Sequence, residues 1–157
     1  MLVKSIVTLA VAATVLSSFM AQADERYRPV DDKVVIEECG ACHMAFQPQM
    51  LPKKSWIKIM DGLSNHFGED ASLDEKAVSH IKKYHVEHAA DSGWKDGKFM
   101  RGLSDSSAPL RITETPYWVR EHRKEVPDWA WNDPTVKSKA NCIACHKRGN
   151  QGDYDDD

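Results

Sequence analysis

Cys39-Gly40-Ala41-Cys42-His43 and Cys142-Ile143-Ala144-Cys145-His146 are two copies of one Cys-x-x-Cys-His pattern, and together they decide how this chain is built. Within each copy the thiols lie about one helical turn apart, and the imidazole follows directly. That order attaches c-type haem: the thiols bond one porphyrin edge, and the histidine becomes the proximal iron ligand. All four cysteines of the chain belong to these copies. We therefore predict two covalently bound haem c groups, held by Cys39, Cys42, His43, Cys142, Cys145 and His146.

Other cysteine chemistries fit this pattern less well. A thioredoxin-like redox pair usually follows a strand in a βαβ unit, and the sequence shows no such pattern. Structural zinc sites place two Cys-x-x-Cys pairs about 15–20 residues apart, whereas these pairs are separated by about a hundred residues. A disulfide within each pair would close a very short loop and would not explain the histidine that follows.

The start of the chain has the pattern of an export signal. Lys4 supplies a positive charge, an apolar run extends from Ile6 to Phe19, and Ala21-Gln22-Ala23 is an A-x-A cleavage site. The apolar run is too short for a comfortable membrane span, and the alternative is an uncleaved N-terminal anchor. We expect cleavage after Ala23 and a periplasmic mature protein that is not embedded in the membrane.

Charge and length limit the classes of function. The 157 residues carry a formal net charge of −3, which becomes −4 if residues 1–23, with Lys4, are removed. A mildly acidic chain is a poor candidate for binding nucleic acid. The mature length suits one compact unit or two very small ones, and two haems would supply apolar bulk that so thin a core lacks.

The spacing of apolar residues and the capping signals predict an all-α protein organised by haem. Expected helices cover 34–44, a stretch from Trp56 to near His66, a stretch from an N-cap at Ser72 to about Ala90, 115–124, and a stretch from Asp133-Pro134 through the second motif. The predicted organisation is a signal peptide at 1–23, an N-terminal haem c domain at 24–90, a linker at 91–110 and a C-terminal haem c region at 111–157 with a mobile acidic tail.

The ligand opposite each proximal histidine decides the chemistry of the iron. Five histidines lie outside the motifs: His66, His80, His85, His88 and His122. His66 follows a short helix, where small single-haem cytochromes carry their distal ligand, and His122 shares a helix face with Trp118. We assign His66 to the first haem and His122 to the second, although the two ligands could be exchanged.

The remaining candidate ligands have a simpler interpretation. His80, His85 and His88 could bind a metal or an iron, but we favour partly exposed polar residues on one amphipathic helix. Thioether ligands are also available, although methionine more often fills a core. The candidates are Met44, Met50, Met60 and Met100.

Seven stretches of the mature chain resemble the diheme cytochrome c family of bacterial periplasmic electron carriers. They are 38–46, Ser55-Trp56, 66–73, 111–116, His122-Arg123, 141–146 and 152–154. The stretches at 66–73 and 111–116 are far more specific than the haem motifs alone. The resemblance implies bis-His ligation of both irons, an N-terminal half similar to class I cytochrome c and a smaller, irregular C-terminal half. It also implies a high-spin c-type haem protein or a membrane cytochrome b as redox partner.

Two histidines on one iron leave no position for oxygen, peroxide or nitrite, so the sequence predicts a carrier of single electrons and not an enzyme. One alternative is a haem enzyme, a peroxidase or nitrogen-oxide reductase, with one open iron. Another is an electron-transfer subunit of a larger periplasmic reductase. Basic residues near the second motif could dock an acidic partner or neutralise haem propionates, or they could form a solvated face. They are Lys137, Lys139, Lys147 and Arg148.

Overall fold

A computed structural model describes residues 26–155, and within that range the protein is helical. Its α-helices are α1 (Lys33–Gly40), α2 (Lys53–Asp61), α3 (Glu75–His88), α4 (Pro116–Glu125) and α5 (Asp128–Trp131). Short 3₁₀ turns connect them, and the described residues pair as isolated β-bridges but form no strand. The predicted all-α class is confirmed. In this part of the chain no helix is long and apolar enough to cross a membrane; the predicted export signal lies outside the described residues.

Helix α3 begins later than the sequence indicated. The expected N-cap, Ser72, is wrong: the cap is Asp74, whose carboxylate accepts hydrogen bonds from Lys76 N at 2.9 Å and Ala77 N at 3.0 Å. Ser72 belongs to a separate turn, in which its backbone N–H donates to Asp70 Oδ1. A charged oxygen also suits the positive end of a helix, so Asp74 is the better cap.

The helix predicted from Asp133-Pro134 through the second motif is wrong. Asp133 Oδ1 accepts from Thr135 N and closes a turn instead of opening a helix. Lys137 then has φ 59°, a left-handed conformation that a right-handed helix cannot contain. Within the second motif only Cys142–Ala144 is helical, as a 3₁₀ turn. The expected cap at Thr115 with Pro116 at the first helical position is confirmed, and it opens α4.

Two apolar clusters form the core. One is built from α1, α2 and α3 and contains Val30, Val35, Met60 and Ile81. The other joins residues from both sides of the predicted linker, including Leu51, Trp56, Ile112, Trp118 and Tyr154. Phe99, inside the predicted linker, is 4% exposed and belongs to the second cluster. The two haem-bearing parts of the chain therefore share one core, while the proposed domain division stays a prediction.

The end of the described chain packs against the protein, so the expectation of a mobile tail is wrong there. Tyr154 is buried and its hydroxyl donates to Gln47 Oε1 at 2.6 Å, while Gln47 Nε2 donates to Gly149 O at 2.8 Å. Gly152 O accepts from Tyr27 N at 2.7 Å. Gly152 has φ +76°, and a Cβ there would meet Tyr27 O at 2.0 Å, so this close approach requires glycine.

Candidate haem sites

The proximal histidine of the first motif faces His66. The two rings have centroids 6.2 Å apart and planes 28° apart. His43 follows α1, and its Nδ1 donates to Met44 O at 2.7 Å. His66 follows the turn after α2 and lies at one end of a tight reversal that closes with Glu69. A proton fixed on Nδ1 of His43 leaves Nε2 free to bind a metal.

The second motif repeats this arrangement with different elements. His122, on α4, has its ring centroid 6.2 Å from that of His146, and the two planes are 84° apart. Nδ1 of His122 donates to Trp118 O at 2.9 Å, and the indole of Trp118 stacks on the imidazole at 3.9 Å and 17°. The structure thus brings His66 to His43 and His122 to His146, in the pairing expected from the sequence.

The spacing of both pairs tests whether these residues fit a haem iron. A metal–imidazole bond is about 2 Å long, so two imidazoles on opposite sides of one ion hold their ring centres about 6 Å apart. Both pairs show 6.2 Å. Among residues 26–155, no group of three or more His, Cys, Asp or Glu could hold a metal ion by itself. The residues therefore fit an iron whose other four ligands come from a porphyrin.

The cysteines suit covalent attachment better than redox exchange. None of the four forms a disulfide, and Cys39 and Cys142 pack against different core clusters. Burial raises the pKa of each of these two thiols to about 11. A reactive dithiol needs a lowered pKa, because the thiolate is the nucleophile. The thioredoxin-like interpretation therefore finds no support in the structure.

The surroundings of His66 favour its neutral form. Burial lowers the pKa of His66, and the neighbouring charges of His43 and Arg111 lower it further. An iron ligand must be neutral imidazole, so these effects keep His66 competent to bind. Arg111 also lies over the ring of Phe67, with its guanidinium carbon 3.9 Å from the ring centroid.

The histidines of α3 have partners of their own. His85 is only 2% exposed, so our expectation of a partly exposed residue is wrong there; it packs on Trp56 at 4.2 Å and donates to Ile81 O. Burial lowers its pKa and favours the neutral ring. His80 contacts Asp32 at 2.8 Å, and half-buried His88 donates to the backbone of the same helix.

The sequence did not predict that several aromatic residues contact the four facing histidines. Phe46 stacks on His43 at 4.9 Å, and Tyr154 meets the ring of His146 edge-on at 5.3 Å. Phe46 follows His43 by three residues, but α1 ends at Gly40, so no helical spacing signals this contact. Tyr154 gives no such signal, because the acidic residues around it resemble a solvated end.

A helical chain with two haem c attachment motifs, each beside a facing imidazole, has the design of a diheme c-type cytochrome. The family model for dihaem cytochrome c matches residues 35–154, and the chain belongs to that family. It is thus a haem c electron-transfer protein with two covalently bound haem c groups, as predicted.

Three solved structures of diheme cytochromes c are also similar to this chain. The diheme cytochrome c from Rhodobacter sphaeroides is 42% identical, with a TM-score of 0.77 over 81% of this chain and 99% of that one. A second structure, of the protein purified from Rhodobacter sphaeroides, is 41% identical over 80% and 98%, with a TM-score of 0.67. A diheme cytochrome type c from Shewanella baltica OS155 is 32% identical over 78% and 86%, with a TM-score of 0.64. No curated protein sequence matches the chain.

Proposed function

We propose that both haems are low-spin with two histidine ligands and that the protein carries single electrons in the periplasm. The observation that carries this proposal is the 6.2 Å separation of ring centroids in both pairs, His43 with His66 and His122 with His146. Each bound haem supplies one electron-accepting iron. The protein supplies an imidazole on both faces of each iron position, which leaves no place for a substrate.

The backbone also tunes these ligands. The hydrogen bonds from His43 Nδ1 to Met44 O and from His122 Nδ1 to Trp118 O make each imidazole a stronger base. Strongly basic paired imidazoles stabilise ferric iron relative to a His/Met pair. We therefore expect negative midpoint potentials at both sites, and a potentiometric titration that places both well above zero would argue against two histidine ligands.

Export is part of the proposal. Arg26, three residues after the expected cleavage site at Ala23, already pairs with Asp153 and Asp155. Arg26 therefore belongs to the folded protein, as expected if the mature chain begins at Asp24. N-terminal sequencing of the protein recovered from periplasm should begin at Asp24, whereas an anchored protein would retain Lys4 and stay with the membrane.

The redox partner we propose is a high-spin c-type haem protein or a membrane cytochrome b, as the resemblance implies. Lys137 and Lys147 are exposed beside the second motif and are available to an acidic partner, whereas Arg148 is engaged with Asp153 at 3.1 Å. Docking through these lysines should weaken as salt rises, because exposed charges are screened. A rate of electron exchange with the partner that does not change with ionic strength would contradict the electrostatic part of this proposal.

Electron paramagnetic resonance (EPR) of the ferric protein tests the ligand sets. Imidazole planes 28° apart split the iron d orbitals and give a rhombic low-spin signal, whereas planes 84° apart leave two orbitals nearly degenerate and give a highly anisotropic one. We expect both signals in equal amounts. A high-spin signal from half of the iron would mean one open site, and turnover of peroxide or nitrite would then be assayed.

A further inference from the structure

The turn that carries His66 holds a bulky residue in a conformation that normally requires glycine. His66 N donates to Glu69 O at 2.7 Å and Glu69 N donates to His66 O at 3.3 Å, so two residues connect the paired ends. Those residues are Phe67, with φ 58°, and Gly68, with φ 105°. Glycine adopts positive φ freely, but a phenylalanine there is strained and needs support from elsewhere.

Besides a local hydrogen bond from Gly68 N to Asn65 Oδ1, support for this turn comes from the far side of the predicted linker. The guanidinium carbon of Arg111 lies 3.9 Å from the centroid of the Phe67 ring, a close cation–π contact. The ring of Phe67 in turn meets the ring of His66 edge-on, with centroids 4.7 Å apart. Arg111, Phe67 and His66 thus form a continuous series of contacts from the C-terminal region to the first haem site.

We propose that Arg111 and Phe67 are positioning residues for the distal ligand of the first haem. Arg111 holds the Phe67 ring, and the ring holds His66 opposite His43 with its plane within 28° of the proximal plane. This inference rests on the proposed ligation by His66. It makes the integrity of the first haem depend on a side chain that lies outside its own motif and its own half of the chain.

Carbon monoxide binding to the reduced protein is the readout, because it reports an open iron and not overall folding. The wild type should not react. Arg111→Gln and Phe67→Leu should each make one of the two haems reactive, with about twofold to fivefold more of its distal ligand dissociated, the range expected from a cation–π contact between exposed side chains. Phe67→Tyr keeps the aromatic face and should behave as the wild type.

A matched control is available in the same protein. Arg101 lies 5.9 Å from the ring centroid of Tyr117, an arginine–aromatic contact that includes none of the four facing histidines. Arg101→Gln removes the same charge and the same kind of contact, and it should leave both haems unreactive. In Arg111→Gln the rhombic EPR signal should change while the highly anisotropic signal of the His122 and His146 pair stays constant.

The variants separate this role from others. If Arg111→Gln opens the first haem but Phe67→Leu does not, Arg111 acts directly on the haem carboxylates and the proposal is wrong. If neither variant binds carbon monoxide, the proposal is wrong while two-histidine ligation stands. If the wild type itself binds carbon monoxide at half of its haem, the proposed two-histidine ligation is wrong. The positioning role of Arg111 and Phe67 is then wrong as well, because it rests on ligation by His66.

Discussion

Single side chains set the properties of each haem site in this protein. The two histidine pairs have equal ring separations, yet their planes differ, 28° in one and 84° in the other. The aromatic neighbours of His66 and His122 differ as well: Phe67 meets His66 edge-on at 62°, whereas Trp118 stacks face to face on His122. The two haems should therefore be distinguishable by spectroscopy although we propose the same two-histidine ligation for both.

Trp118→Leu should turn the plane of His122, because it removes the indole that stacks on that ring at 3.9 Å. We expect the highly anisotropic EPR signal to shift toward a rhombic one, and the rhombic signal of the first site to stay. Trp118→Phe keeps a stacking face and should preserve the highly anisotropic signal of the wild type. Trp94→Leu, at an indole that is 89% exposed, is the matched control; a spectrum of Trp118→Leu identical to that of Trp94→Leu would contradict this role.

Much of the site could be predicted at this scale. The haem attachment residues follow from the fixed order of Cys-x-x-Cys-His, whereas the distal role of His66 and His122, inferred from their places on or beside helices, stays a prediction. The positioning residues could not be found in this way. Arg111 and Phe67 are 44 positions apart in the chain, and nothing local indicates that their side chains meet.

Helix starts are set by short-range capping, and here the sequence allowed two solutions for α3. Ser72 with Glu75 has the spacing of a capping box, but Asp74 also precedes the apolar face and carries a full charge. The structure chooses Asp74, which caps two backbone N–H groups. The helix predicted from Asp133-Pro134 through the second motif is wrong for a different reason, because Lys137 adopts a left-handed conformation that local propensity does not reveal.

Asp74→Ala should lower the free energy of unfolding by about 1 kcal/mol, because it leaves the N–H groups of Lys76 and Ala77 without their acceptor. Ser72→Ala is the matched control and should change stability by less than about 0.5 kcal/mol. Denaturant unfolding of the holoprotein measures both. If Ser72→Ala lowers stability more than Asp74→Ala does, Ser72 is the N-cap of α3 and this account of the cap is wrong.

At the scale of the whole molecule, one buried hydrogen-bonded link joins the two haem-bearing regions. Phe46 stacks on His43, and its neighbour Gln47 is fully buried and bonds both Gly149 O and the hydroxyl of Tyr154. Tyr154 contacts the ring of His146 in turn. The proximal side of one site is thus tied to the proximal side of the other through residues that bind no iron.

Tyr154→Phe should lower the free energy of unfolding by about 1–3 kcal/mol, because it leaves Gln47 Oε1 buried without a donor. Tyr84→Phe is the matched control: its hydroxyl contacts Asp31 at an exposed position, where water can replace it. Equal losses for both variants in denaturant unfolding would show that the link through Gln47 contributes nothing special.

The overall class was accessible from the sequence, since helical periodicity and two haem motifs define a small all-α cytochrome. The packing of the chain's end was not. Acidic residues 153 and 155–157 resemble a solvated tail, while the burial of Tyr154 depends on Gln47, more than a hundred positions earlier. Long-range contacts of this kind leave no local pattern, which is why the shared core was found only in the structure.

The absorption spectrum of the reduced protein with and without carbon monoxide tests the central claim most directly. His66 and His122 each lie opposite a proximal histidine at the spacing of two axial ligands. We therefore predict that carbon monoxide leaves the spectrum unchanged, as expected for two six-coordinate irons that only exchange electrons. A shift in about half of the haem absorbance would contradict the account, because one iron would then be open to substrates.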